Sequence, residues 1–310
     1  MSITATPMKP VRPSIVSESA PEVTAEFDIR PSRGWIAIDF KELLHYRELL
    51  YFLTWRDVKV RYKQTTLGFA WAIIQPLMSV LIFTVIFGKL AGFDSKVPDE
   101  LKARHIPYSL FSYAGVLPWM LFAVGVGAGG NSLVSQQNLL TKVYFPRLFV
   151  PASIIGAALV DTLISLGVFC LLMVGYRLAP HSQIVLPSWQ LLALPFLLLL
   201  TCLAGMGMAF TFSSLTVSYR DFRFLIPFMV STWQYVSPVG YPIHSINHPW
   251  VNWLLPLNPM YGIINGFRSA LLGQHWEIGA LLMSVVEVAA ILTFGMYFFK
   301  RTERRFADIA

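Results

Sequence analysis

At 310 residues, 55% hydrophobic and only 13% charged, with a mean hydropathy of +0.58, the chain lacks the polar side chains to cover a soluble domain of its size and reads as an integral membrane protein. The net charge of +7 would suggest nucleic acid in a soluble protein; here the distribution of basic residues among the loops matters more, and no nucleic-acid partner is expected. Cys170 and Cys202 both fall in apolar runs, so no disulfide framework is implied.

The opening stretch, MSITATPMKPVRPSIVSESAPEVTAEFDIR, is rich in Pro, Ser, Thr and acids and contains no continuous apolar core of the kind a signal peptide needs. Residues 1–35 are expected to form a disordered, uncleaved cytoplasmic tail. Residues 36–66 change character. In DFKELLHYRELLYFLTWRDVKVRY, Phe40, Leu43, Leu44, Leu50 and Leu53 mix at helical spacing with Lys41, Glu42, Arg47, Glu48 and Arg56, and Asp39 with Glu42 resembles a capping box. Such a helix is too charged to cross a bilayer and too apolar to leave it. It is expected to lie along the cytoplasmic interface with Trp55 at headgroup level; a soluble helix packed on another subunit is the alternative.

Six apolar segments are long enough to span a membrane, at about 67–90, 108–134, 148–176, 189–216, 222–242 and 278–299. At about 1.5 Å per residue, roughly twenty residues cover the ~30 Å hydrocarbon core, and without water to satisfy backbone groups each must be a helix. The predicted fold is therefore all-α, with a transmembrane domain over 67–299. Before the first span, Arg56, Lys59, Arg61 and Lys63 mark the cytoplasmic border, and Thr65 or Thr66 can cap the helix. Pro76 removes a backbone hydrogen bond near mid-membrane and leaves the Ala72 carbonyl without its usual donor; beside Gln75 it makes a polar spot in an apolar helix.

In the second span, the glycines of GVGAGGNS follow no strand, so Gly125 and Gly129 form a small-xxx-small face for close packing rather than a nucleotide loop. Asp161 and Glu287 fall near the middle of the third and sixth spans, where an ionised carboxylate costs about 2.5–3.5 kcal/mol. They are functional candidates, or else are protonated or bonded to a neighbouring helix. The last outside loop, PWVNWLLPLNPMYGIINGFRSALLG, is apolar enough to enter the membrane yet broken by Pro256 and Pro259. Asn258 can serve as N-cap with Pro259 as the first helical residue. The helix to about Leu272 is too short to cross and carries Asn265 and Arg268. A re-entrant element over 249–272, dipping into the outer leaflet before the last span, fits this pattern.

With the amino terminus taken as cytoplasmic, 18 of the 24 Lys and Arg residues fall on the inside, including a basic tail at 300–310, and 6 fall outside. That balance supports both termini in the cytoplasm. No G-x-x-x-x-G-K-[ST] occurs; Gly88 and Lys89 are followed by Leu90, so the chain has no P-loop of its own and no cofactor is expected in it. No metal site is expected either, because His105, His181, His244, His248 and His275 sit in outside loops without ligand spacing. An enzyme acting on a polyprenyl-linked sugar or acyl group would want clustered acids, and the inner loops offer only Asp221 among Arg220 and Arg223. No catalytic residue is assigned.

Four stretches in order, RDVKVRYKQTTLGFAWAIIQPL, LLTKVYFPRLFVPAS, VSYRDFRFLIPF and LNPMYGIINGFR, resemble the permease subunit of polysaccharide-exporting ABC transporters of the type-2 exporter family, those moving O-antigen, capsule or teichoic acid. The resemblance covers about 40–305. It implies an inner-membrane homodimer of six-span subunits joined by two copies of a separate ATPase that binds the ATP, with a lipid-linked polysaccharide threading between the permease halves. It maps a membrane-surface helix onto 39–55, an ATPase-coupling helix onto about Gln137–Arg147, with Leu139, Leu140, Tyr144 and Phe145 as apolar docking candidates beside Arg147, and re-entrant outer helices onto 249–272, where Asn258, Pro259, Asn265 and Arg268 become gate candidates. A drug or small-lipid exporter of the same fold is the alternative.

A sugar polymer needs a wide hydrated path with weak repeated contacts, which aromatic faces supply at about 0.5–1 kcal/mol per CH contact. In the first span Trp71, Gln75 and Met78 share a face beside Pro76; in the fifth, Trp233, Ser237 and Tyr241 follow at four-residue steps. These are the channel candidates, the alternative being aromatics that face lipid.

Overall fold

The computed structural model describes residues 44–63, 70–137, 145–178, 189–242, 248 and 253–309, with side chains in the last helix to Glu303. The described residues form helices and turns, with no strand among them. In chain order these are α1 (Arg47–Lys63), α2 (Ala70–Phe83) prolonged by a wide π-helical stretch Thr84–Leu90, α3 (Asp99–Ala103), and α4 (Tyr108–Val124) prolonged by a second π stretch Gly125–Gly129. There follow α5 (Ser132–Ser135), α6 (Phe149–Leu178), α7 (Leu194–Ser218), α8 (Phe222–Val236), α9 (Pro259–Leu272) and α10 (Ile278–Ile309).

Among the described residues, five helical stretches are long and apolar enough to cross a membrane: Ala70–Leu90, Tyr108–Gly129, Phe149–Leu178, Gln190–Ser218 and Ile278–Glu303. The fifth expected span differs. Its helix is 15 residues, about 22 Å long, and stops at Val236. Ser237 precedes Pro238, and the proline ring drives the residue before it out of the α region; Ser237 accordingly has ψ 143°. Tyr241 therefore does not continue the helical face of Trp233. At the other end, α10 runs unbroken through Lys300 and Arg301 to Ile309, so the basic tail is the end of a helix rather than a separate segment.

Helix α4 is the central post, with almost every side chain from Tyr108 to Phe122 buried. Tyr113 sits edge-on to Phe169 and donates its hydroxyl to the Ser165 carbonyl at 3.1 Å, joining α4 to α6. The small-residue face behaves as expected. A Cβ at Gly125 would lie 2.9 Å from the Gly205 Cα, and one at Gly129 would lie 2.8 Å from the Ala209 side chain, so α4 and α7 meet backbone to backbone. Helix α7 meets α10 in the same way, with Gly207 against the Leu292 backbone.

Helix α1 lies against α6: Thr54 fills the space over Gly156, and the Ser153 hydroxyl donates to Asp57 at 2.9 Å. Its opposite side presents Tyr51, Phe52 and Trp55, all exposed. The capping box at Asp39 and the candidate caps Thr65 and Thr66 lie outside the described residues.

Candidate functional site

A cavity of about 520 Å³ opens between α1, α2, α4 and α6. Trp71, Ala72 and Gln75 line it from α2, Leu117, Met120 and Val124 from α4, and Asp161, Thr162 and Ser165 from α6, with Arg61 and Tyr62 at the end of α1. Trp71 borders the cavity and is 55% exposed. Pro76 takes no part in this wall: it is buried in the helix packing, and it does not end α2. The carbonyl it frees, that of Ala72, lies 3.5 Å from the Ser165 hydroxyl, which also sits 2.9 Å from the Asp161 carbonyl in its own helix. Met78 is exposed on α2 beyond the cavity.

Asp161 is held by partners that the sequence reading missed. Arg61 donates from Nη1 to Oδ2, and the Tyr62 hydroxyl donates to Oδ1. Each carboxylate oxygen thus meets its own donor, which offsets the cost of an acid inside an apolar helix. The available signal was that an intramembrane acid calls for a cation, and Arg61 stands among the basic residues at the membrane border. Glu287 contrasts with it: neither carboxylate oxygen has a hydrogen-bond partner among the described residues.

Three residues assigned in sequence to two different roles, Trp233, Ser237 and Asn258, come together where α8 ends and α9 begins. Asn258 caps α9, its Oδ1 accepting from the Met260 backbone N–H at 3.1 Å, as Asn-Pro at a helix start predicts. The same oxygen accepts from the Trp233 indole at 3.2 Å, while Asn258 Nδ2 donates to the Ser237 hydroxyl at 2.8 Å. Trp233 and Ser237 therefore point into the protein and join α8 to α9. Pro259 is buried in the first turn of α9. Arg268, 1% exposed, donates from Nη2 to the Pro238 and Val239 carbonyls at 2.8 and 2.9 Å and stacks 3.8 Å from the Phe111 ring centroid. Burial pulls its pKa downward, against the opposing pull of Tyr108, Tyr241 and Glu277.

Asn265 donates to Glu277 at 3.2 Å, and the Tyr261 hydroxyl donates to the same oxygen at 2.9 Å. Burial, then the Glu277 carboxylate, push the Tyr261 phenol upward. Tyr241 donates to the Val236 carbonyl at 3.0 Å and closes an aromatic run with Phe83, Phe87 and Phe93.

Of the coupling candidates, Leu139, Leu140 and Tyr144 lie outside the described residues. Phe145 is 6% exposed and packs with Leu53, Phe149 and Phe210, so it is a core residue rather than an open docking contact. Arg147 reaches the Glu303 carbonyl at 3.5 Å, tying the segment before α6 to the end of α10.

The O-antigen export system permease protein RfbA of Myxococcus xanthus is 26% identical over 254 residues, 81% of this chain and 91% of that protein. The protein of the same name from Klebsiella pneumoniae is 26% identical over 264 residues, covering 84% and 95%. The polysialic acid transport protein KpsM of Escherichia coli is 26% identical over 234 residues, covering 73% and 82%. Residues 48–272, from α1 through α9, match the model of the ABC-2 type transporter family, and on that match the chain belongs to this family of membrane transport proteins.

Proposed function

We propose that the chain is the transmembrane subunit of an ABC exporter that carries a lipid-linked polysaccharide, O-antigen foremost, across the cytoplasmic membrane. The names of the relatives support this reading, and the observation that carries it is the open cavity with Trp71 and Gln75 on its wall. An exposed indole beside an amide offers a sugar chain the weak, repeatable contacts that sliding requires. Two copies of the chain enclose the path and two copies of a separate ATPase drive it. The ATPase docks around Gln137–Arg147, with Leu139, Leu140 and Tyr144 as the contacts.

The reading includes six crossings. Helix α8 covers about 22 Å of a ~30 Å core, and the reading takes the non-helical turn that follows it through what remains. Non-helical backbone at that depth needs internal donors, and Arg268 and Tyr108 supply them to Pro238, Val239 and Gly240. The 249–272 element is then re-entrant from outside, and α10 returns its basic end to the cytoplasm. Sealed vesicles holding the permease, its ATPase and lipid-linked O-antigen test the reading. ATP should move glycan to the far side, and movement of lipid without glycan would select the small-lipid exporter instead.

A further inference from the structure

The turn Pro238–Gly240 is gripped from three sides. Arg268 holds the carbonyls of Pro238 and Val239, the Tyr108 hydroxyl donates to the carbonyl of Gly240, and the Phe83 ring occupies the space a side chain at Gly240 would need. The guanidinium is itself positioned. Phe111 lies under its face, and Gly115 leaves it room, since a Cβ there would stand 2.9 Å from Nη2. Its Nε and the Oε1 of Gln274 have no hydrogen-bond partner among the described residues, and both residues border a chamber of about 10 Å³. That space suits one water joining the donor to the acceptor. Glu277 borders the same chamber, engaged with Tyr261 and Asn265.

Among the described residues, the direct hydrogen bonds of Arg268 go to neutral carbonyls. Carbonyl dipoles and a ring face hold a buried cation in place without the deep well of a bidentate carboxylate pair, so the grip can be released. The gripped turn is also the joint between α8 and the segment leading to α9, whose Trp253, Leu254 and Leu257 are exposed.

We infer that Tyr108 and Arg268, the latter seated by Phe111 and Gly115, are positioning residues that latch the Pro238–Gly240 turn against the outer ends of α2 and α4, and that this turn swings free when the exit opens. The inference rests on the outward path proposed above and concerns what closes it.

The test uses the full chain with its ATPase in sealed liposomes, a trapped dye of about disaccharide size and no nucleotide. Tyr108→Phe removes one oxygen, and Arg268→Lys keeps the charge while losing the planar guanidinium and its stack on Phe111. Losing one such hydrogen bond should raise the open population, and with it dye release, about fivefold. Protein yield and oligomer size should stay unchanged, which separates latching from a merely structural role. Wild-type tightness in both folded variants overturns the latch. If Arg268→Lys does not accumulate, Tyr108→Phe decides alone. ATP-driven glycan movement is read separately: faster release in the variants, with no glycan moved by the wild type, keeps the latch and removes the exporter reading.

Discussion

Asp161 shows how one side chain can be misjudged without its neighbours. Alone in an apolar helix it is a liability; between Arg61 and Tyr62 it ties α1 to α6 beside the cavity. Arg61→Ala should cost at most about 1.5–3 kcal/mol, reduced by the 38% and 27% exposure of the two side chains. The double change Arg61→Ala with Asp161→Ala should cost less than the sum of the single changes, because it leaves no orphaned charge. Thermal unfolding of the four proteins in one detergent checks this, and strict additivity would deny the pairing. Trp71 is the residue on which transport should depend: Trp71→Ala should slow glycan export at normal permease abundance. Trp71→Leu should slow it too if the indole meets sugar, and should be silent if it meets lipid.

At the scale of elements, close helix contact and helix irregularity each have a local cause. Gly125 and Gly127 lie in the same π stretch, yet only Gly125 meets another backbone, while a Cβ at Gly127 would meet nothing within 4 Å. Gly125→Ala should therefore destabilise by about 1–3 kcal/mol through overpacking. Gly127→Ala should be neutral or stabilise by up to about 1 kcal/mol, since alanine is the better helix former. Paired melting curves decide, and equal effects would mean that the α4–α7 contact is looser than described. Pro76→Ala restores a donor to the Ala72 carbonyl and removes its need for Ser165. Export should change more than stability, as read from transport and melting of the same preparation.

For the whole molecule, parity is the issue. Six crossings put the basic end of α10 beside α1 in the cytoplasm, whereas a fifth helix that failed to cross would leave it outside, against the charge bias. In a background lacking Cys170 and Cys202, His275→Cys should react with an impermeant thiol reagent from outside, and Arg220→Cys only after the membrane is opened. Both positions are exposed. Labelling of Arg220→Cys from outside would invert the topology.

Much of this architecture was written in short-range chemistry. Hydropathy and length placed the third and fourth spans within two residues of their observed limits, and Asn258-Pro259 announced the start of α9. Those features depend on nearest neighbours and on the bilayer, both of which a linear reading contains. The end of α8 was also legible, since Pro238 directly follows Ser237, but the apolar composition of 222–242 hid it. What could not be read was pairing across the chain. Arg61 meets Asp161 from 100 residues away, and Trp233 turns inward to an amide 25 residues on, because side chains settle where packing leaves a partner. Helical periodicity assigns a face to each residue; the helices packed against that face determine whether it becomes channel, core or latch.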